Sequence, residues 1–145
     1  MATPACMLQD AQWSSITPRP RATLWHRRVL GSVLRLKMLP ESWDTYGSPR
    51  LQNPAQESAA ELIALLSAAE PPLPNVSPVP GGGVQFEWEV NRRALEIEVL
   101  PDGSMEFLAI AENGATVEGT LDQIHAHAPR LIRWLTSSNA ATAWR

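Results

Sequence analysis

Glu87, Glu96, Glu98 and Glu106 fall at alternating positions in three neighbouring stretches between Val84 and Ala109. Grouped carboxylates can hold a divalent cation, divide general acid and base roles, or present negative potential to a cationic partner. Metal or acid–base chemistry usually recruits a companion His or Asp, and none falls within these three stretches. Docking of a basic partner is therefore the functional reading, and a merely solvated strand face is the plain one. A second group is Trp43, Asp44 and Tyr46, inside Leu39-Pro40-Glu41-Ser42-Trp43-Asp44-Thr45-Tyr46-Gly47-Ser48-Pro49. Asp44 has no partner base nearby in sequence, which argues against catalysis. Two large aromatics on a tight loop can form a recognition site, because aromatic anchors dominate binding energetics. Alternatively, Trp43 and Tyr46 plug the edge of the core while Asp44 holds the loop by accepting from backbone N–H groups.

The glutamates need a sheet to hold them. Val84, Phe86, Trp88 and Val90 alternate with Gln85, Glu87 and Glu89, a period of two. A two-residue turn at Asn91-Arg92 sets Trp88 against Leu95, Phe86 against Ile97 and Val84 against Val99. The Pro101-Asp102-Gly103 turn then sets Met105, Phe107 and Ala109 against Val99, Ile97 and Leu95. Both turns give the same apolar face, and a one-residue slip in either would bury charge. The same register stacks Glu87 against Glu96 and Glu98 against Glu106, at a mild cost in repulsion. Asn113-Gly114 predicts a further hairpin, with Ala115 to Gly119 as a short fourth strand.

Helices flank this meander. Trp25, Val29, Val33 and Leu36 recur at helical spacing within Ala22 to Met38, and Arg28 and Arg35 fall on one side. Gly31 costs that helix about 1 kcal/mol of propensity, so it depends on packing. Pro40 ends it. Asn53 as N-cap, Pro54 at N1 and Gln56 at N3 predict a capping box, followed by an Ala59, Leu62, Ile63 and Leu66 stripe. The prolines from Pro71 to Pro80 predict an extended strap, a polyproline segment or an edge strand. Gly81-Gly82-Gly83 lacks the Gly-Lys-Ser/Thr of a phosphate loop. Thr120 is expected to cap a last helix whose stripe is Leu121, Ile124, Ala128, Leu131, Ile132 and Leu135. Pro129 is expected to kink or break it. That helix should cover Phe86, Trp88 and Ile97. His125 and His127 lie two apart, which does not place them on one helix face for a shared metal, and His26 has no second ligand at useful spacing.

The predicted fold is α+β: two N-terminal helices, a three- to four-stranded antiparallel meander, and a C-terminal helix packed on one sheet face. Residues 1–21 read as a flexible arm with Trp13 and Ile16 as anchors, 22–136 as a single domain, and 137–145 as a polar tail carrying Trp144. The chain has 145 residues, enough to bury a core without staples. Cys6 is its only cysteine, which fits a reducing, cytoplasmic setting. No apolar run has the length of a membrane span, and the N-terminus lacks the pattern of a secretory signal.

Charge is divided along the chain. Residues 1–50 carry seven Lys/Arg against three acids, and the remainder carries five Arg against twelve acids. The simplest reading is internal complementarity. An organelle transit peptide or nucleic-acid contact by the basic leader are the alternatives, and the absence of a dense Lys/Arg cluster argues against nucleic acid.

The run Leu-Pro-x-x-Trp-Asp-x-Tyr-Gly (39–47), the capped helix, the proline strap, Gly-Gly-x-x-x-Glu-Trp (82–88) and Leu-Glu-Ile-Glu (95–98) resemble a group of small bacterial and mobile-element proteins. The resemblance covers about residues 36 to 110 and implies no stated activity. The genomic company of that group suggests defence, counter-defence or toxin neutralisation, an association only. The expectation is a non-enzymatic protein-binding module of antitoxin, immunity or adaptor type. It would need no cofactor and would use Trp43, Asp44, Tyr46, Glu87, Glu96, Glu98 and Glu106. A small metal-dependent hydrolase or nuclease using Asp44 and nearby glutamates is the alternative.

Overall fold

The alternation written from Val84 onward becomes a five-stranded antiparallel meander, in a computed structural model that describes residues 22–138. The strands are β1 (Asn75–Val79), β2 (Gly83–Val90), β3 (Arg93–Val99), β4 (Met105–Ile110) and β5 (Thr116–Thr120), each paired with its neighbours in sequence order. The helices are α1 (Leu24–Leu36), α2 (Asn53–Ser67) and α3 (Ile124–Thr136). The expectations for residues 1–21, and for Trp144, lie outside the described residues. Among those residues, no helix is long and apolar enough to cross a membrane.

The predicted register is the observed one. Trp88 pairs with Leu95, Phe86 with Ile97 and Val84 with Val99, while Met105, Phe107 and Ala109 oppose Val99, Ile97 and Leu95. Magnitudes explain why. Fully burying one large apolar side chain contributes about 1.5–3 kcal/mol, and the face includes Phe86, Leu95, Ile97, Val84 and Val99, all essentially inaccessible. A like-charge cross-strand pair costs only about 0.2–1 kcal/mol. Burial wins, and the glutamates follow. The β2–β3 turn places both Asn91 (φ 51°) and Arg92 (φ 67°) in the left-handed region, as a two-residue hairpin turn requires.

The helices all lie on the apolar face. α1 and α2 run antiparallel, tied at one end by the Thr23 and Ser67 hydroxyls (2.9 Å) and at the other by Lys37 Nζ donating to Asn53 Oδ1 (2.8 Å). Thr23 also caps α1 by accepting from the His26 amide (3.0 Å). α1 packs on α2 and β1, α2 on β2 and β3, and α3 on α2 and β3. Cover of the Phe86 and Ile97 face is thus shared between α2 and α3 rather than supplied by the last helix alone. Gly103 (φ 91°) lets the β3–β4 turn press on α2: a Cβ there would stand 2.7 Å from Ser58 Oγ and 3.0 Å from the Pro54 carbonyl oxygen.

Several local expectations are overturned. The meander has five strands rather than three or four: the proline segment takes the edge-strand form among its expected alternatives and supplies β1, with Pro78 opposite Val84. An edge tolerates proline, since its missing N–H is not asked to donate. No capping box forms at α2: the N-cap position is Gln52, without a side-chain cap bond, and the Asn53 side chain serves Lys37 instead. Thr120 does not cap α3; it ends β5, and α3 starts after Gln123 in a left-handed conformation (φ 49°). Pro129 does not divide α3. It costs one hydrogen bond, to the carbonyl of the exposed His125, while Ala128, Leu131, Ile132, Trp134 and Leu135 are buried on both sides of it. Ser137, at the start of the expected polar tail, is held by Arg93.

Arg93 is the one buried cation among the described residues (4% exposed). Its Nη1 donates to the Trp134 carbonyl, to the Ser137 carbonyl (3.1 Å) and to Ser137 Oγ (3.0 Å), and its guanidinium lies over the Trp134 ring at 5.4 Å. A cation here meets the negative end of α3 and satisfies carbonyls the helix leaves unbonded. Nε also approaches Glu112 at 3.4 Å, but Glu112 is 45% exposed and water screens that pair. Arg93→Ala should therefore lower stability by about 2–4 kcal/mol, and Glu112→Ala by under about 1 kcal/mol, measured by chemical denaturation.

Candidate functional site

The sheet face that no described helix covers carries the candidate site. Its side chains form rows across the strands, fixed by register. One row is Ser77, Gln85, Glu98, Glu106 and Thr120; the next is Asn75, Glu87, Glu96, Leu108 and Glu118. Neighbouring strands lie about 4.8 Å apart, so each carboxylate sits beside the next residue of its row. Glu96, Glu98, Glu106 and Glu118 line a shallow groove of about 530 Å³, with Leu108 and Thr120 among their neighbours.

The repulsion in these rows is diluted by polar neighbours on β1, β2 and β5. Asn75 Nδ2 donates to Glu87 Oε2 (3.1 Å), Gln85 stands beside Glu98, and Thr120 ends the row beside Glu106. Three of the four predicted glutamates line the groove together. Glu87 lies outside it, bound to Asn75. Glu118 and Leu108 are part of the surface, and neither stands out in sequence. Leu108 interrupts the charge alternation of β4, and Glu118 joins only through the β4–β5 register. Among the described residues, no three His, Cys, Asp or Glu stand close enough to hold a metal ion.

The Trp43 loop is separate: the groove draws on the sheet alone. Asp44 organises the loop. Its Oδ1 accepts from the amides of Tyr46 (3.0 Å) and Ser48 (3.1 Å), and its Oδ2 accepts from Ser48 Oγ. The backbone-holding role read from the sequence is thus present. The plug role is not. Tyr46 is 92% exposed, and Trp43 is half-buried outside the core, with Nε1 donating to the Pro49 carbonyl at 3.3 Å. Gly47 (φ 86°) and the left-handed Ser42 and Thr45 curl the chain so tightly that the tyrosine ring projects outward.

A second cleft, of about 310 Å³, lies between α1 and the strap, where Arg28 and Arg35 flank Val29, Ser32, Leu73 and Pro74. The basic and acidic surfaces are thus separate, and the expected packing of a basic leader on the acidic face is not seen among the described residues. His125 Nε2 faces Glu61 Oε1 at 3.3 Å, both exposed, a contact worth little to stability.

The Ser48 hydroxyl, followed by the Ser48 and Tyr46 amides, holds the Asp44 carboxyl below its ordinary value of 3.8. The ionised form is the one the folded loop prefers. Its contribution is full above the unfolded-state value and is lost as pH falls through the folded-state value. Trp43 fluorescence should therefore report a loop transition below about pH 4. Asp44→Asn should flatten that transition while leaving the overall melting temperature within a few degrees.

No protein-family model matches the chain, and no curated protein or solved structure matches it.

Proposed function

We propose that this protein is a non-enzymatic binding module that docks a cationic protein partner on the open face of its sheet. The observation that carries this reading is the one-sided cover of the meander. Helices bury one face, while the other presents Glu96, Glu98, Glu106 and Glu118 around half-buried Leu108 in a single groove. Aligned carboxylates in a shallow depression favour cations through their summed potential, and Leu108, between Glu96 and Glu118, offers an apolar contact. The exposed Tyr46 ring is a second contact, held ready by the Asp44 turn. The Asp44 oxygens are occupied by Ser48 and Tyr46, which speaks for a positioning role over metal chemistry. An antitoxin, immunity or adaptor role is the finer form of the proposal, and it rests on the resemblance of residues 36 to 110 alone.

The test is affinity capture from native lysate, followed by titration of the captured partner. Glu96→Lys with Glu98→Lys should weaken binding about a hundredfold or more without unfolding the sheet, because both side chains face water. Raising salt from about 50 to about 300 mM should weaken the unmodified complex in the same direction. An unchanged complex with both lysines present, and a normal circular dichroism spectrum, would overturn the proposal.

A further inference from the structure

The two edges of the sheet are treated differently. β1 is blunted by Pro78 and carries the strap, whose Pro72 carbonyl accepts from Trp88 Nε1 at 2.8 Å. β5 has neither proline nor lysine, and every residue from Thr116 to Thr120 is exposed. Natural sheets usually protect an edge of this kind. The Ala111 amide donates to the Ala115 carbonyl and the Leu121 amide to the Met105 carbonyl, both at 2.8 Å. These bonds flank the β4–β5 ladder at its two ends. Antiparallel pairing alternates, so the backbone groups of Val117 and Gly119 face β4. Those of Thr116, Glu118 and Thr120 point out of the sheet, and no described strand lies beyond β5. Among the described residues the inner side of β5 is also open: Val117 is 41% exposed, and a Cβ at Gly119 would meet the edge of the Phe107 ring at 3.5 Å.

We propose that β5 receives a basic extended segment of the partner as a sixth, antiparallel strand. The inference rests on the acidic-face reading above and specifies its mode: main-chain pairing at Thr116, Glu118 and Thr120, with Lys or Arg at alternate positions on the groove side. Charge selects this occupant. The incoming residue opposite Glu118 continues the row of Glu87, Glu96, Leu108 and Glu118, and its neighbour two positions along continues the row that holds Glu98 and Glu106. A cation in either place meets carboxylates within a strand spacing or two. A second copy of this chain fits less well. Two-fold pairing over the full strand sets Glu118 against Glu118 and brings two acidic faces edge to edge, and registers that avoid the clash shorten the overlap. The partner's apolar alternate residues would lie over Val117 and Phe107.

The probe is an end-blocked peptide of about seven residues alternating lysine and threonine, long enough to span β5. Nuclear magnetic resonance with the full chain should show slowed exchange of the Thr116, Glu118 and Thr120 amides, but no added protection of Val117 or Gly119. N-methylation of the peptide at its β5-facing amides keeps the charge and removes the pairing, and should weaken binding about tenfold or more. Glu118→Pro should do the same, since the N–H it removes faces away from β4; the modified peptide gives the same answer should that variant fail to fold. Glu96→Gln with Glu106→Gln should weaken binding while the peptide still protects the edge amides at higher concentration. Loss on charge removal together with indifference to N-methylation would overturn strand addition and leave the acidic-face reading standing. Absence of any binding by the lysine peptide would overturn both. Concentration-dependent protection of the same amides without peptide would assign the edge to a second copy and overturn the proposal, as would displacement of the peptide by the chain's own basic leader.

Discussion

Everything in this molecule depends on one asymmetry: large apolar side chains on one side of β2, β3 and β4, carboxylates on the other. The apolar side collects Val84, Phe86, Trp88, Leu95, Ile97 and Val99 beneath α2 and α3. The rings of Phe86 and Trp88 stack at 6.3 Å. Removing that face from water outweighs the repulsion stored on the opposite face several-fold. Stability and the acidic surface therefore come from the same residues. The sheet cannot change register to relieve its carboxylates without burying them.

Placement of the helices on one side leaves the acidic face without a described helix over it. α1, α2 and α3 cover the apolar side from β1 to β3, and cover thins toward β5, so Phe107 is only half-buried. Arg93 secures the arrangement from the start of β3 by binding the carbonyl end of α3. A buried cation in that place fixes where the last helix ends. The loop from Trp43 to Pro49 is stabilised within itself, through Asp44 and Ser48, and leaves Tyr46 in water. An exposed tyrosine costs the fold nothing and can serve a contact.

The proposed docking of a peptide segment is consistent with the mixed chemistry of the groove. The groove is shallow and built from side chains on a regular backbone, with Leu108 and four carboxylates in its lining. Small-molecule sites are usually deeper and more apolar. The edge of β5, beyond which no described strand lies, borders this groove, so that backbone groups and carboxylates lie along one line.

Local order was legible in the sequence wherever one short pattern carried the whole decision. The alternation of β2 and β3, the turns at Asn91-Arg92 and Pro101-Asp102-Gly103, and the stripes of α1 and α2 were all readable, because neighbours in the chain settle them. Glu96, Glu98 and Glu106 were found as a group for the same reason. Capping was misread at Asn53 and Thr120, because a cap residue is also free to serve another element: Lys37 takes Asn53, and β4 takes Thr120. The break expected at Pro129 does not occur, because burial on both sides of it outweighs one lost hydrogen bond. The roles of Arg93, Glu118 and the open edge at β5 belong to tertiary structure alone. Their roles arise from contacts across the fold, Arg93 to Ser137 or Glu118 beside Leu108, and no local spacing encodes a pairing made only after the sheet and helices have met.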